Sequence, residues 1–199
     1  SSKKFDREKY PQWTEICDDK RSSTALDAVL HGAFMITMIN KCDVVKVACE
    51  SIVIGSMIMV DPNGGCFRQT TFYPFRDVAL LGKEIVLKQS AEGPREDAGK
   101  YGELPVIQSS VIYNDEKKEI VVFAVNFSKQ KDIPFELSIQ EFKEAECIEF
   151  RQLYEKEAFA GNTFKNPFRV VPHLLEVDKK QRNFVLPPIS WNVIRYRIK

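Results

Sequence analysis

Two rhythms of apolar and polar positions divide this chain. Over residues 22–40, Leu26, Val29, Leu30, Ala33, Phe34, Thr37 and Met38 recur every three or four positions, the spacing of one face of an α-helix. Ser23 or Thr24 precedes the run and can cap it. Ala25, Ala28, Met35 and Ile39 make the remaining faces apolar too, so the helix expects cover on most sides. His31 lies within it and reads as a satisfied core side chain rather than a base or a ligand. Residues 44–49, Val-Val-Lys-Val-Ala-Cys, are rich in β-branched side chains without alternation, which predicts a strand buried on both faces. A second extended run, 52–60, leads into Asp61-Pro62-Asn63-Gly64-Gly65, a string of turn formers that must reverse the chain. Residues 73–81 read as a helix ended by Gly82, with Pro74 tolerated in its first turn.

From residue 85 the rhythm changes. Segments 85–87, 106–113, 119–126, 133–139, 145–153, 184–186 and 191–198 are short β-rich runs separated by polar turns. Asn114-Asp115-Glu116-Lys117 fits a hairpin, and Pro134 places its strand at a sheet edge. Such spacing implies an antiparallel sandwich. Residues 91–102 and 155–167 read as long polar loops, and residues 1–21 as a loop anchored by Tyr10, Pro11 and Trp13.

Composition narrows the function classes. A chain of 199 residues, 44% of them hydrophobic, supports one large domain or two small ones. A net charge of +1, from 29 basic against 28 acidic residues, creates no field that would draw nucleic acid or an anionic membrane. The longest apolar stretch is interrupted at Gly55 and Ser56 and falls short of the ~20 residues of a membrane span, which predicts a soluble chain. Five cysteines, an odd number without a C-x-x-C pair, argue against a zinc site or a closed disulfide framework and predict reduced, mostly buried thiols. No signal-peptide pattern follows Ser1, which leaves location open with the cytoplasm favoured. Nucleophile elbows, phosphate loops, dinucleotide fingerprints and metalloprotease helices have no counterpart in the sequence.

Phe67, Phe72, Tyr73 and Phe75 set four aromatics around Arg68 and Gln69, the look of a helix start wedged between two layers. The run Phe67-Arg68-Gln69-Thr70-Thr71-Phe72-Tyr73-Pro74-Phe75 resembles the Trp-Arg-Gln-Thr-x-Phe-Tyr-Pro-Phe signature of the α-L-arabinofuranosidases of glycoside hydrolase family 51. Residues 26–32 and 43–49 are similar to that family's Asp-Ala-Leu helix and Asp-x-Val-Lys-Ile-Ala-Cys strand, in the same order. Val171-Pro172-His173 and the closing residues 189–195 resemble its C-terminal end.

The resemblance implies that residues 1–83 are the C-terminal part of a (β/α)8 catalytic barrel and residues 84–199 an accessory, jelly-roll-like β-sandwich. It implies a parent enzyme that removes terminal α-L-arabinofuranosyl groups with retention, using two glutamates that precede this segment and neither metal nor cofactor. The chain alone would then hold no catalytic residue. Substrate contact is expected from Glu50, at the end of a barrel strand where such active sites lie, from Ile52, and from Trp13, whose indole could stack on a sugar or merely anchor its loop. Ile52 and Gly55 stand where the family usually has a glutamine and an asparagine, which leaves the exact sugar open. Phe67 replaces the signature tryptophan and drops an N–H donor. The implied partners are an arabinofuranosyl-containing carbohydrate and, to cover the helix of residues 22–40, the rest of the barrel or a second copy in a homo-oligomer. A free-standing carbohydrate-binding or protein-interaction sandwich is the alternative, with Trp191 as either a stacking platform or a core residue.

Overall fold

The computed structural model describes residues 22–198 apart from Pro62, Asn63, Gln140, Glu141 and Lys143. Helix α1 runs Ala25–Asn40. Thr24 and Asp27 close its entry as a reciprocal capping box: Asp27 N donates to Thr24 Oγ1 at 3.2 Å and Thr24 N donates to Asp27 Oδ2 at 2.7 Å. Strands β1 (Ile58–Val60) and β2 (Cys66–Arg68) form a hairpin across the expected reversal, where Gly64 and Gly65 take φ of 101° and 112°, conformations that favour glycine. Helix α2 (Phe72–Leu81) follows at once and stops at Gly82, one residue earlier at its start than its pattern suggests.

Strand β3 (Ile85–Leu87) opens the β-rich half. Strands β4 (Arg95–Asp97) and β5 (Glu103–Pro105) then pair as a small exposed hairpin inside what reads as loop, because nothing in their polar residues alternates. Next come β6 (Ile107–Asn114), β7 (Glu119–Asn126), β8 (Ile133–Glu136), β9 (Glu146–Tyr154), β10 (His173–Leu175), β11 (Asn183–Leu186) and β12 (Ser190–Arg197). Six of these make one antiparallel sheet in the order β10-β9-β12-β7-β6-β3, and β11 pairs with β8 in a separate ribbon. Pro134 does sit on an edge strand, since β11 is the only neighbour of β8 among the described strands.

Both faces of the large sheet are covered. On one face Val121, Phe123, Val125, Trp191 and Val193 meet Ala25, Ala28, Val29, Ala33 and Ile36 of α1 and Tyr73 of α2. On the other, Ile120, Val122, Ala124, Ile194 and Tyr196 meet Phe184 and Leu186 of the ribbon. That double cover explains why β7 reads as a continuous apolar run and is buried at every position. The described residues form a mostly antiparallel β-sheet domain with two α-helices.

Trp191 is the tightest point between layers. It is 1% exposed and stacks on Phe123 at 5.5 Å. A Cβ at Gly32 would lie 2.4 Å from its Cε3, so only glycine lets α1 approach the indole. Its Nε1 donates to Asp77 Oδ2 at 3.1 Å, which fixes α2 to the sheet.

Three expectations need correction. Residues 44–49 form no strand, and Val44 and Val47 are 75% and 78% exposed. A parallel strand needs neighbours along its edges, and none of the described strands lies in position to pair with it. Of the run 52–60, only Ile58–Val60 is strand. The described thiols are free, but Cys42, Cys49 and Cys66 are exposed and only Cys147 is buried among those described, because Cys42 and Cys49 fall outside the packed layers and Cys66 takes the outward side of β2, whose buried position is Phe67. Cys17 lies outside the described residues.

Candidate functional site

The signature of residues 67–75 acts first as an architectural clamp. Phe67 is buried and meets the Phe164 ring edge-on at 4.8 Å. Gln69, 2% exposed, accepts a hydrogen bond from Ser23 N, and the Thr70 hydroxyl donates to Thr24 O at 2.5 Å. Arg68 lies over the Phe72 ring at 5.2 Å, while its carbonyl accepts from Asn162 Nδ2 at 2.9 Å. The chain's entry into α1 is thus held from two sides. The first amides of α1 are taken up by the Ala160 and Ala158 carbonyls, which accept from Ala25 N at 2.8 Å and Leu26 N at 2.9 Å. Asn162, fully buried, completes the joint by donating to Val170 O at 3.0 Å and accepting from Val170 N at 2.7 Å. No sequence signal singled out Asn162, because its partners lie in β2 and in its own loop.

Glu50 is half-buried, and its charge acts on His31 of α1. Burial pushes the His31 imidazole below its ordinary value, and the Glu50 carboxylate pulls it partly back. His31 is not the satisfied core residue its pattern suggests: it is half-buried, and its Nε2 is buried with no hydrogen-bond partner. His173, its distant companion, lies exposed on the edge strand β10. Ile52 is 59% exposed and heads a compact turn in which Gly55 takes φ of 88° and its amide donates to Ile58 O at 2.7 Å. Glycine at that position therefore suits the backbone as well as the missing amide side chain. Trp13 lies outside the described residues. Ile52, Val53 and Ile54 with Val44, Val47 and, on α1, Leu30 and Phe34 leave a large apolar area in solvent.

The remaining buried acids are committed. Asp77 Oδ1 accepts from Arg76 Nη2 and Arg151 Nη1, each at 2.6 Å. Arg151 also pairs with Glu149, and Arg195 joins Glu149 and Glu119, each at 2.6 Å, so one ladder of charge runs across β9, β12 and β7. Burial alone would raise the Glu119 carboxyl, but the Arg195 and Arg197 guanidiniums outweigh it and hold it below its ordinary value. Such a group stays ionised and is ill-suited to donate a proton to a leaving oxygen. Among the described residues no cluster of histidine, cysteine and carboxylate could hold a metal ion. A cavity of about 590 Å³ between β6, β7 and β8 is walled largely by core side chains such as Ile107, Val122 and Phe135, with Gln89 and Ser109 hydrogen-bonded to each other. Trp191, 1% exposed, belongs to the core and presents no face to a sugar.

The described residues thus form a β-domain with two docked helices and a set of exposed apolar side chains on α1 and residues 44–54. The family model "Alpha-L-arabinofuranosidase C-terminal domain" matches residues 12–190, and the chain belongs to that family, within the α-L-arabinofuranosidases of glycoside hydrolase family 51. It is 31% identical over 191 residues to an intracellular exo-α-(1→5)-L-arabinofuranosidase of Streptomyces lividans, covering 94% of this chain and 28% of that protein. It is 34% identical over 196 residues to an exo-α-(1→6)-L-arabinofuranosidase of Bifidobacterium longum, covering 94% of this chain and 37% of that protein. The solved structure of a family 51 α-L-arabinofuranosidase from Bifidobacterium longum superposes with a TM-score of 0.83 at 27% identity, over 88% of this chain and 34% of that one. The chain therefore spans about a third of the length of the relatives it matches.

Proposed function

We propose that this chain is the C-terminal part of a retaining glycoside hydrolase that removes terminal α-L-arabinofuranosyl residues from arabinose-containing polysaccharides or oligosaccharides. The observation that carries the reading is the match of residues 12–190 to the C-terminal domain of that family. In this reading residues 1–83 supply the last α/β units of a (β/α)8 barrel and residues 84–199 the accessory sandwich. The exposed β-branched run 44–49 is then a barrel strand that pairs only when its neighbours are present. The exposed stripe of Leu30 and Phe34 supports the same reading, since it offers an apolar face to adjoining barrel elements.

The two carboxylates of the double displacement, about 5 Å apart in a retaining enzyme, would come from preceding barrel strands, so residues 1–199 alone are inactive. Glu50, Ile52 and Trp13 would form part of the wall around the sugar, at the C-terminal ends of the strands. Ile52 brings no amide to a sugar hydroxyl, a loss of about 1 kcal/mol per hydrogen bond, which shifts recognition toward shape. The chemistry asks for neither metal nor cofactor. The cytoplasm is the proposed location, in keeping with relatives named intracellular. Assembly into a homo-oligomer would cover apolar surface that the barrel leaves exposed. The test is hydrolysis of an aryl α-L-arabinofuranoside by the full-length protein, followed by NMR of the first-formed sugar. Arabinose released with retained configuration supports the reading, and the lack of turnover on any arabinofuranoside sinks it.

A further inference from the structure

The loop of residues 155–170 carries three phenylalanines with different fates. Phe164 turns inward onto Phe67, whereas Phe159 and Phe168 are 81% and 72% exposed. Exposure here does not come from a slack loop. Ala158 and Ala160, on either side of Phe159, accept the first amides of α1. Gly161 bridges Thr24, and a Cβ there would lie 2.5 Å from the Ser23 carbonyl oxygen. Asn162 ties the loop to Arg68 and Val170. Arg169, next to Phe168, pairs with Glu157 and lies 4.0 Å from Glu155, which draws together the turns bearing the two rings. Two flat apolar rings are thus held in solvent by a fixed backbone, with a carboxylate and a guanidinium beside them.

The location of this platform carries the argument. It adjoins the N-terminal end of α1. In a (β/α)8 barrel every helix begins on the rim where the strands end and substrate enters, so a loop capping the start of a barrel helix stands at the mouth of the active site. An exo-acting enzyme buries only the terminal sugar, and the chain from which that sugar is cut runs outward over the rim. We propose that Phe159 and Phe168 form a stacking surface for sugar rings on the leaving side of the scissile bond, with Glu157 and Arg169 placed to meet their hydroxyls. The proposal rests on the barrel reading given above. The chemistry favours a carbohydrate over a protein surface: sugar rings offer C–H faces to aromatic planes and hydroxyls to the neighbouring charges, whereas a protein interface calls for a broader dry centre.

The experiment uses the full-length protein and compares two substrates: methyl α-L-arabinofuranoside, which has no sugar on the leaving side, and arabino-oligosaccharides of increasing length. The readout is the ratio of kcat/KM on oligosaccharide to kcat/KM on the methyl glycoside. In a Phe159→Ala, Phe168→Ala double variant this ratio should fall roughly three- to tenfold, mainly through KM. The corresponding double leucine variant should fall in the same way, because it stays apolar but loses the flat face, and a double tyrosine variant should keep the ratio. An unchanged ratio in the alanine variant overturns the proposal. So does a change of oligomeric state on size exclusion in the alanine variant, which would assign the rings to contact between copies, or a thermal shift on truncation of residues 1–21 equal to that of the alanine variant, which would assign them to that segment. Failure of the unmodified protein to cleave either substrate would instead overturn the functional reading and this proposal with it.

Discussion

Replacing Asp77 with alanine should loosen α2 from the sheet at large cost. The side chain has no exposed area, and its two oxygens serve four N–H donors from three residues. Oδ1 accepts from Arg76 Nε at 3.0 Å, from Arg76 Nη2 and from Arg151 Nη1, while Oδ2 accepts from Trp191 Nε1 at 3.1 Å. Without the carboxylate the indole N–H is sealed between Gly32 and Phe123 with no acceptor, a penalty of about 1–3 kcal/mol. Arg76 and Arg151 side chains are 29% and 25% exposed, so water recovers part of their loss, and Arg151 keeps Glu149. Removing one partner of such a buried pair costs about 3–5 kcal/mol in all. At about 2–4 °C per kcal/mol for a chain of this length, the melting temperature should fall by roughly 6–20 °C. Urea unfolding of the wild type, Asp77→Ala, Trp191→Phe and the double variant gives the coupling between the two residues, expected at about 0.5–3 kcal/mol. An Asp77→Ala variant within about 0.5 kcal/mol of wild type, the range of an ordinary surface change, would refute the reasoning.

Gly32→Ala gains about 1 kcal/mol of helix propensity but drives a methyl into an indole clamped by Phe123 and Asp77, so net destabilisation of about 1–2 kcal/mol is expected by thermal unfolding, and any stabilisation contradicts the packing. Thr24→Ala removes the hydroxyl that accepts from Asp27 N while leaving the Thr24 amide free to donate to Asp27, and should cost about 1 kcal/mol, read as a lower urea midpoint at constant slope. The Glu119 carboxyl is held below its ordinary value of about 4.3, so its pairing with Arg195 contributes fully above that pH and is lost as pH falls through the lower folded-state value. Stability measured from neutral pH down past pH ~4 should therefore decline more steeply in the wild type than in Glu119→Gln, and parallel curves would count against the ion ladder.

What the sequence discloses depends on where each residue finds its partners. Helix α1 is legible because Thr24, Asp27 and the apolar spacing are local. The long strands β6, β7, β9 and β12 are legible because their side chains are buried by neighbouring strands and layers within the chain, whereas the three-residue edge strand β10, exposed at every position, is not. Residues 44–49 carry the side chains of a strand, but a strand exists only against another strand, and none of those described is placed to pair with it. The β4–β5 hairpin is hidden for the opposite reason: Arg95, Glu96 and Asp97 form a ladder without any apolar alternation. The link of Asp77 to Trp191 joins positions 114 apart, and neither residue's neighbourhood hints at the other. Of the expected site, Glu50 and Ile52 lie two positions apart in sequence, but the electrostatic influence of Glu50 on His31 appears only once α1 is folded. The exposed Phe159 and Phe168 escaped notice because their loop is polar overall.

The most direct test of the central claim is an aryl α-L-arabinofuranoside assay on purified residues 1–199, on the same chain with Glu50→Gln, and on the full-length protein. If this chain is the non-catalytic end of an arabinofuranosidase, neither short form turns over and the full-length protein does. Turnover by residues 1–199 that disappears with Glu50→Gln would make Glu50 catalytic and contradict the account, as would a full-length protein inert toward arabinofuranosides.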